Sequence, residues 1–194
     1  MAGTPNLTQH MFRGRNDDGN ETTATWIEAA NTDWTQAVDV NFRVRFVVKE
    51  NNSANPANFG CQLQYNLAAA GWNDVNATSS VVQSSASPNL ADRAVLTQQL
   101  GSGTFSAGAF DEVDGELTEA LDDTDIAQNT EGEYEFCVQI RSADVTDAQT
   151  LQLRLVWDSG AALTGYTQTP TITVSEGGAP ANLRRYSLTM VGVG

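Results

Sequence analysis

The stretch EGEYEFCVQIRSADV (residues 131–145) alternates apolar and polar side chains with a period of two. The apolar set is Tyr134, Phe136, Val138 and Ile140, and the polar set is Glu133, Glu135, Cys137, Gln139 and Arg141. Successive side chains of an extended strand point to opposite faces of a sheet. The pattern therefore predicts a strand with its apolar set in a core and its polar set in water.

Three further segments alternate in the same way, and helical periodicity is almost absent. They are NFRVRFVV (41–48), CQLQYNL (61–67) and TLQLRLVW (150–157). Shorter candidate strands are TATWIEA (23–29), SSVVQSS (79–85), RAVLTQQL (93–100), TPTITVSE (169–176) and RRYSLTMVGV (184–193). Strands at this spacing, joined by polar turns, are typical of an all-β antiparallel sandwich or barrel.

The composition of the two ends divides the chain into three parts. We expect an N-terminal arm over residues 1–20, a β-sandwich domain over 21–176, and a C-terminal linker and arm or strand over 177–194. The apolar end of the last part either adds to the domain's own sheet or pairs with a neighbouring chain. Within the domain, residues 86–132 are expected to hold one strand, at 94–100, and a long surface excursion.

The two cysteines, Cys61 and Cys137, occupy opposite parities of their strands. Cys61 shares its face with Leu63, a core position, whereas Cys137 shares its face with Glu135. A disulfide requires Cβ atoms about 3.5–4.5 Å apart, which side chains on opposite faces cannot reach. We therefore predict two free thiols, with Cys61 buried in the core and Cys137 covered by a loop or a terminal arm.

The net charge of −14, from 24 acidic and 10 basic residues, disfavours binding to nucleic acid and to anionic membranes. No stretch reaches the ~20 apolar residues that a membrane-spanning helix needs. The N-terminal sequence lacks the apolar segment of a signal peptide, so we expect synthesis in the cytoplasm without a secretory leader.

Catalytic constellations are nearly absent from the sequence. His10 is the single histidine, which is too few for a histidine-based triad or a histidine-rich metal site. Glu133 and Glu135 could form the carboxylate pair of a glycosidase, but the aromatic residues that would line its cleft fall on the opposite face. The sequence therefore predicts a protein that is not an enzyme.

Two weaker binding signals remain. The segment DEVDGELTEALDDTD (111–125) carries eight carboxylates, and calcium takes clustered oxygen ligands from such loops. It lacks EF-hand spacing, so a solvated acidic loop is the alternative to a calcium site. The candidate ligands are Asp111, Asp114, Asp122, Asp123 and Asp125. Trp34 is expected to be the most exposed tryptophan and is the candidate platform for a glycan.

Five motifs in order resemble a β-sandwich module found in structural proteins of tailed bacteriophages and prophages. They are NFRVRF (41–46), QLQYNLAAAGWNDV (62–75), LADRAVLTQQLGSGTF (90–105), EYEFCVQIRSADV (133–145) and TPTITVS (169–175). The resemblance covers about residues 22–176. It implies an immunoglobulin-like antiparallel sandwich with N- and C-terminal arms, displayed on a surface and without an active site.

The resemblance also implies that the protein is a component of the virion. We expect a capsid decoration or cement protein whose partners are the major capsid protein, copies of itself in a homo-oligomer on the particle, or both. Candidate partner-binding residues lie in the C-terminal part: Arg184, Arg185, Tyr186, Leu188, Met190 and Val191. A tail or baseplate accessory protein that binds a receptor or glycan is the alternative.

Overall fold

The computed structural model describes residues 4–53, 59–118, 122 and 124–176. Within them lie twelve strands and one 3₁₀ helix, Ser142–Asp144. The strands are β1 Leu7–Asn16, β2 Trp34–Ala37, β3 Asn41–Glu50, β4 Cys61–Leu67, β5 Asn73–Asp74, β6 Val82–Ser84, β7 Phe105–Asp111, β8 Glu116–Leu117, β9 Glu131–Ile140, β10 Thr150–Trp157, β11 Gly165–Tyr166 and β12 Thr171–Ser175.

The strands form two sheets of six strands each, one of them curled into a half-barrel. Sheet A runs β11–β1–β3–β9, and the far side of β9 pairs with β7 along its first half and with β6 at its end. Sheet B runs β2–β12–β10–β4, and the far side of β4 pairs with β8 at its start and with β5 further along. Each sheet therefore ends in two strands that share one partner strand.

The predicted all-β class is confirmed, but a purely antiparallel arrangement is wrong. Three pairings are parallel: β1 with β11, β2 with β12, and β7 with β9. Parallel neighbours need a crossover connection, and between β7 and β9 the chain passes through β8 in the other sheet. Side-chain alternation reports which face is buried and carries no information on strand direction. The pairing therefore gives two mixed sheets and does not establish an immunoglobulin-like order.

The four strongest predicted strands are confirmed as β3, β4, β9 and β10, and two shorter candidates correspond to β6 and β12. The candidates TATWIEA and RAVLTQQL are not strands and make only isolated bridges, at Trp26 and Val95. Strand β7 was not predicted, because its FSAGAFD sequence is dominated by small residues that show little alternation. The candidate RRYSLTMVGV lies outside the described residues.

Residues 7–16, placed in an N-terminal arm by their polarity, instead form β1 inside sheet A. The strand pairs with β3 from Leu7 opposite Glu50 to Asn16 opposite Phe42. An irregularity in register between Gln9 and Met11 shifts the alternation and conceals the buried positions in the sequence. The expectation of a separate arm is therefore wrong for this segment.

The main core lies between the inner faces of the two sheets. It contains the apolar sets predicted from alternation, including Phe42, Val44, Phe46, Tyr134 and Phe136 from sheet A and Leu63, Leu153 and Leu155 from sheet B, all without exposed surface. A second, small cluster of Leu96, Phe110 and Cys137 lies on the other side of sheet A. Its presence shows that part of the outer face of sheet A is covered.

Candidate functional site

The outer face of sheet A carries a group of buried charged side chains, called here the charge cluster. Its members are Arg15 of β1, Arg43 and Arg45 of β3, and Glu133 and Glu135 of β9, each at most 1% exposed. Cross-strand register brings them together, because Arg15 lies opposite Arg43 and Arg45 lies opposite Glu135. The alternation of β3 and β9 assigned the four members on these strands to water, and that assignment is wrong. Arg15 was instead placed in the expected N-terminal arm.

Glu135 is the centre of the charge cluster because its carboxylate contacts three guanidinium groups. Its Oε1 accepts from Nη1 of Arg43 at 3.0 Å, and its Oε2 accepts from Nε of Arg45 at 2.5 Å. Nη1 of Arg15 also donates to Oε2 at 3.4 Å. Arg45 reaches Glu133 as well, through Nη1 at 2.9 Å. These are charge-assisted contacts in a site from which water is excluded.

Two surface segments, residues 17–24 and 87–101, lie over the charge cluster and form the cover. In the first segment, Nη2 of Arg43 donates to the carbonyl of Gly19 at 2.6 Å, and Nε and Nη2 of Arg15 donate to the carbonyl of Ala24 at 3.2 Å. Asp17 lies 3.3 Å from Nε of Arg43. The arginines therefore satisfy carbonyl groups that the loop would otherwise leave unpaired.

The second segment of the cover is held by Glu133. Its carboxylate accepts the backbone N–H groups of Gln99 at 3.1 Å, Leu100 at 2.8 Å and Gly101 at 2.7 Å. The loop approaches closely at Gly101, where a Cβ would lie 2.6 Å from Oε2 of Glu131, so a larger residue would force this carboxylate to move. The interior of the protein thereby determines the position of an exposed loop.

Two arginines of the charge cluster have pKa values shifted from the ordinary value, in opposite directions. Burial acts to lower the pKa of Arg45, but attraction to Glu135 and Glu133 outweighs it and the pKa is raised. Burial lowers the pKa of Arg15, and attraction to Glu135 opposes that change. Glu133 and Glu135 have no exposed surface and are engaged with arginines and backbone amides, so this pair is not arranged as a hydrolytic site.

Both cysteines are free and buried, as predicted. Cys61 lies in the main core, and Cys137 lies under the cover beside Leu96 and Phe110. The Sγ of Cys137 is 3.8 Å from Oδ2 of Asp17. Burial raises the pKa of both thiols, so neither is a reactive thiolate in the folded protein.

The candidate calcium ligands act as acceptors for nearby backbone groups. Asp111 accepts from the amides of residues 113–115, Asp122 from Thr118 at 2.9 Å, and Asp125 from Phe59 at 3.0 Å. Among the residues that the structure describes, no group of three or more His, Cys, Asp or Glu side chains is arranged to hold a metal. Asp123 lies outside the described residues. Burial raises the pKa of Asp111 to about 7.

The expectation that Trp34 is exposed is wrong. Its side chain is 5% exposed and packs between Phe12 and Phe42, with ring centroids 6.3 and 6.2 Å away. Trp34 pairs with Ile172 of β12, and this register turns both side chains into the core. The ring is not available as a platform for a glycan.

The outer face of sheet B, in contrast, remains open apart from Gln62 and Gln64, which are buried. Its outward positions are Gln64 and Asn66 on β4, Gln152 and Arg154 on β10, Thr171 and Thr173 on β12, and Thr35 on β2. Arg154 is stacked on Trp72, with its guanidinium carbon 4.1 Å from the ring centroid. The alternation of β4 and β10 identifies the outward residues of this face, but from the sequence it predicts only an ordinary surface in contact with water.

The candidate partner-binding residues from Arg184 to Val191 lie outside the described residues. No helix in the described part of the chain has the length and hydrophobicity needed to cross a membrane. No protein-family model and no curated protein sequence matches the chain. The described residues thus form an all-β two-sheet domain for which these comparisons identify no family.

Proposed function

We propose that this chain is a non-enzymatic structural protein of a tailed-bacteriophage virion and that it decorates or cements the capsid. The observation that carries the proposal is the charge cluster, in which the ionisable groups gathered by the fold are used to hold surface loops. Such an arrangement suits a scaffold that presents a fixed surface. The five motifs that resemble the phage module support the virion setting.

The acidic surface fits this role. The chain carries a net charge of −14, and three of its arginines are buried in the charge cluster. The described residues also bury five carboxylates, Glu50, Asp111, Glu131, Glu133 and Glu135, so the exterior keeps most, but not all, of the negative charge. A strongly charged exterior keeps particles apart and disfavours self-association away from the docking site.

Docking is assigned to the C-terminal segment 177–194 rather than to the N-terminal residues, since residues 7–16 belong to sheet A. Strand β12 ends at Ser175 beside Ala37 of β2, and β2 is the last strand of sheet B among the described residues. The segment therefore starts next to a sheet edge that can accept a strand from a neighbouring copy or from the capsid.

The proposal is tested by deleting residues 177–194. All twelve described strands are retained, so the variant is expected to stay folded and to fail to join the particle. Quantitative mass spectrometry of purified virions measures its copy number against that of the full chain. The double variant Arg184→Glu and Arg185→Glu is the milder counterpart and is expected to reduce incorporation.

Two outcomes would overturn the assignment to the capsid. Normal incorporation of the deletion variant would remove the docking role from the C-terminal segment. A copy number of only a handful to dozens per virion, with antibody against the chain blocking adsorption, would favour the second candidate. That candidate is a tail or baseplate accessory protein that binds a receptor or glycan, and the open outer face of sheet B favours it.

A further inference from the structure

We propose that the outer face of sheet B binds an acidic saccharide, with Arg154 receiving the carboxylate of a uronic acid unit. The inference concerns the isolated chain and holds for either location in the virion. Three features support it: the fixed position of Arg154, its unused hydrogen-bond donors, and the polar side chains beside it.

Arg154 is held in place from three directions. Its Nε and Nη2 donate to Oε1 of Gln64 at 3.0 and 2.8 Å, and Gln64 in turn donates to Asp74 at 2.8 Å. Its guanidinium carbon lies 4.1 Å from the ring centroid of Trp72 and 5.5 Å from that of Tyr166. A guanidinium fixed in this way loses little further conformational freedom when it binds a ligand.

The guanidinium still has donors to offer. An arginine carries five N–H groups, and the contacts with Gln64 use two of them, both on the Nε–Nη2 edge. The Nη1–Nη2 end is the fork that matches a carboxylate with two parallel hydrogen bonds. No carboxylate lies within salt-bridge distance of Arg154 among residues 4–53, 59–118, 122 and 124–176.

The charge distribution also favours an anion here. Strands β4, β10 and β12 contain no aspartate or glutamate, although the chain has 24 such residues. Arg154 is therefore the only formally charged side chain on these three central strands of sheet B. The adjacent strand β5 carries one carboxylate, Asp74, which accepts from Gln64. At physiological ionic strength, the Debye length of about 8 Å screens most of the repulsion from carboxylates farther away.

The side chains beside Arg154 suit hydroxyl groups. Gln152, two residues away on the same face of β10, lies in a shallow depression of about 380 Å³ with Asn66 and Thr171. Amide and hydroxyl groups donate and accept hydrogen bonds at once, as sugar hydroxyls require. One face of the half-buried ring of Trp72 is occupied by the guanidinium of Arg154, so the ring serves here to hold the arginine in place. An acidic peptide could bond this row only through its backbone groups, whereas a saccharide presents several hydroxyl groups on each ring.

The experiment titrates the full chain with tetragalacturonic acid and with its carboxyl-reduced, neutral counterpart by isothermal calorimetry. We expect the acid to bind and the neutral oligosaccharide to bind at least about tenfold more weakly, since a charge-assisted pair is lost. Arg154→Gln is expected to weaken binding of the acid at least about tenfold. Arg154→Lys keeps the charge without the fork and should fall between wild type and Arg154→Gln.

The matched control is Arg141→Gln, which removes the same charge from an exposed arginine outside sheet B. It should bind like wild type, and thermal denaturation should show that all variants remain folded. The proposal is overturned if the acid does not bind at millimolar concentration, if Arg154→Gln and Arg141→Gln behave alike, or if the neutral oligosaccharide binds equally well. A pentaglutamate peptide that binds as tightly as the acid would reassign the site to an acidic protein partner.

Discussion

The outer faces of sheets A and B follow from the same alternation, yet the central part of the face of sheet A is covered, whereas most of the face of sheet B is in contact with water. On sheet A the polar positions hold arginines and glutamates under the cover, with no more than 1% of each side chain exposed. On sheet B the polar positions hold amides, hydroxyls and Arg154, and most remain accessible. The polar half of an alternating strand is thus a wet surface only where no other part of the chain lies over it.

The composition of the two faces explains the difference. Paired, hydrogen-bonded charges tolerate burial, and the charge cluster supplies both signs together with donors and acceptors for loop backbone. Attraction among buried charges largely offsets the cost of removing them from water. We infer that the main consequence of the charge cluster is to specify where the cover sits. The amides of sheet B offer no comparable set of charges to organise a covering loop.

The largest effect is expected from Glu135→Gln, which removes the carboxylate shared by Arg15, Arg43 and Arg45. Three buried cations would lose their common partner, and breaking a buried pair in this way costs about 3–5 kcal/mol of unfolding free energy. Urea denaturation monitored by tryptophan fluorescence measures the change. A loss below about 1 kcal/mol would contradict the burial of the cluster, because it would mean that solvent reaches these arginines.

The next effect is expected from Glu133→Gln, which weakens the acceptor of the amides of residues 99–101. A hydrogen bond to a charged group is worth about 1.5–3 kcal/mol, and the loss should be concentrated in the cover. Hydrogen exchange of Gln99, Leu100 and Gly101 should accelerate while exchange in β3 changes little. The exposed Glu28→Gln is the matched control, and equal acceleration in both variants would contradict this role of Glu133.

A smaller, pH-dependent effect is expected from Asp111, at the rim between the two sheets. Its folded pKa of about 7 exceeds its ordinary value of 3.8, so the folded state binds the proton more tightly. Its contribution to stability is therefore present below about pH 4 and is lost as the pH rises to about 7.

Asp111→Asn should remove this dependence, and denaturation midpoints from pH 4 to pH 7.5 compare the two proteins. The side chains that share the depression of about 90 Å³ with Asp111 are Asp92, Arg93, Asp114, Glu116 and Asp122. They are unchanged in the variant, so the part of their titration that is independent of Asp111 cancels in the comparison. Parallel pH profiles would show that Asp111 is ionised throughout this range.

The smallest effect is expected on the open face, where Gln152→Ala and Thr173→Ala should each change the unfolding free energy by less than about 0.5 kcal/mol. These side chains are partly exposed and belong to no buried network. The same urea denaturation used for Glu135→Gln provides the comparison. A loss of about 2 kcal/mol at either position would mean that this face, too, supports structure that the chain conceals from water.

Much of the fold could be predicted because alternation is a local property. The core strands β3, β4, β9 and β10, the buried free Cys61, and the need for a cover over Cys137 all followed from which side each residue faces. Strand β1 was missed because an irregularity in register interrupts its alternation, and β7 was missed because its small residues hardly alternate.

The candidate site was less predictable, because it depends on contacts between distant residues. Glu133 meets residues 99–101, and Arg15 meets Glu135 across 120 positions of sequence. Nothing in the neighbourhood of Trp34 indicated that β2 would turn its ring inward beside β12. The local alternation of side chains also gave no indication that three of the strand pairings are parallel.

The sequence by itself determined that the chain forms extended strands with one apolar and one polar side, since side-chain direction alternates with every residue of a strand. Only the tertiary structure decided which polar side stays in water. That choice depends on loops folding back over sheet A, and their position is set by hydrogen bonds between residues far apart in the chain. The covered face fixes the loops that lie over it, and most of the open face stays accessible to water.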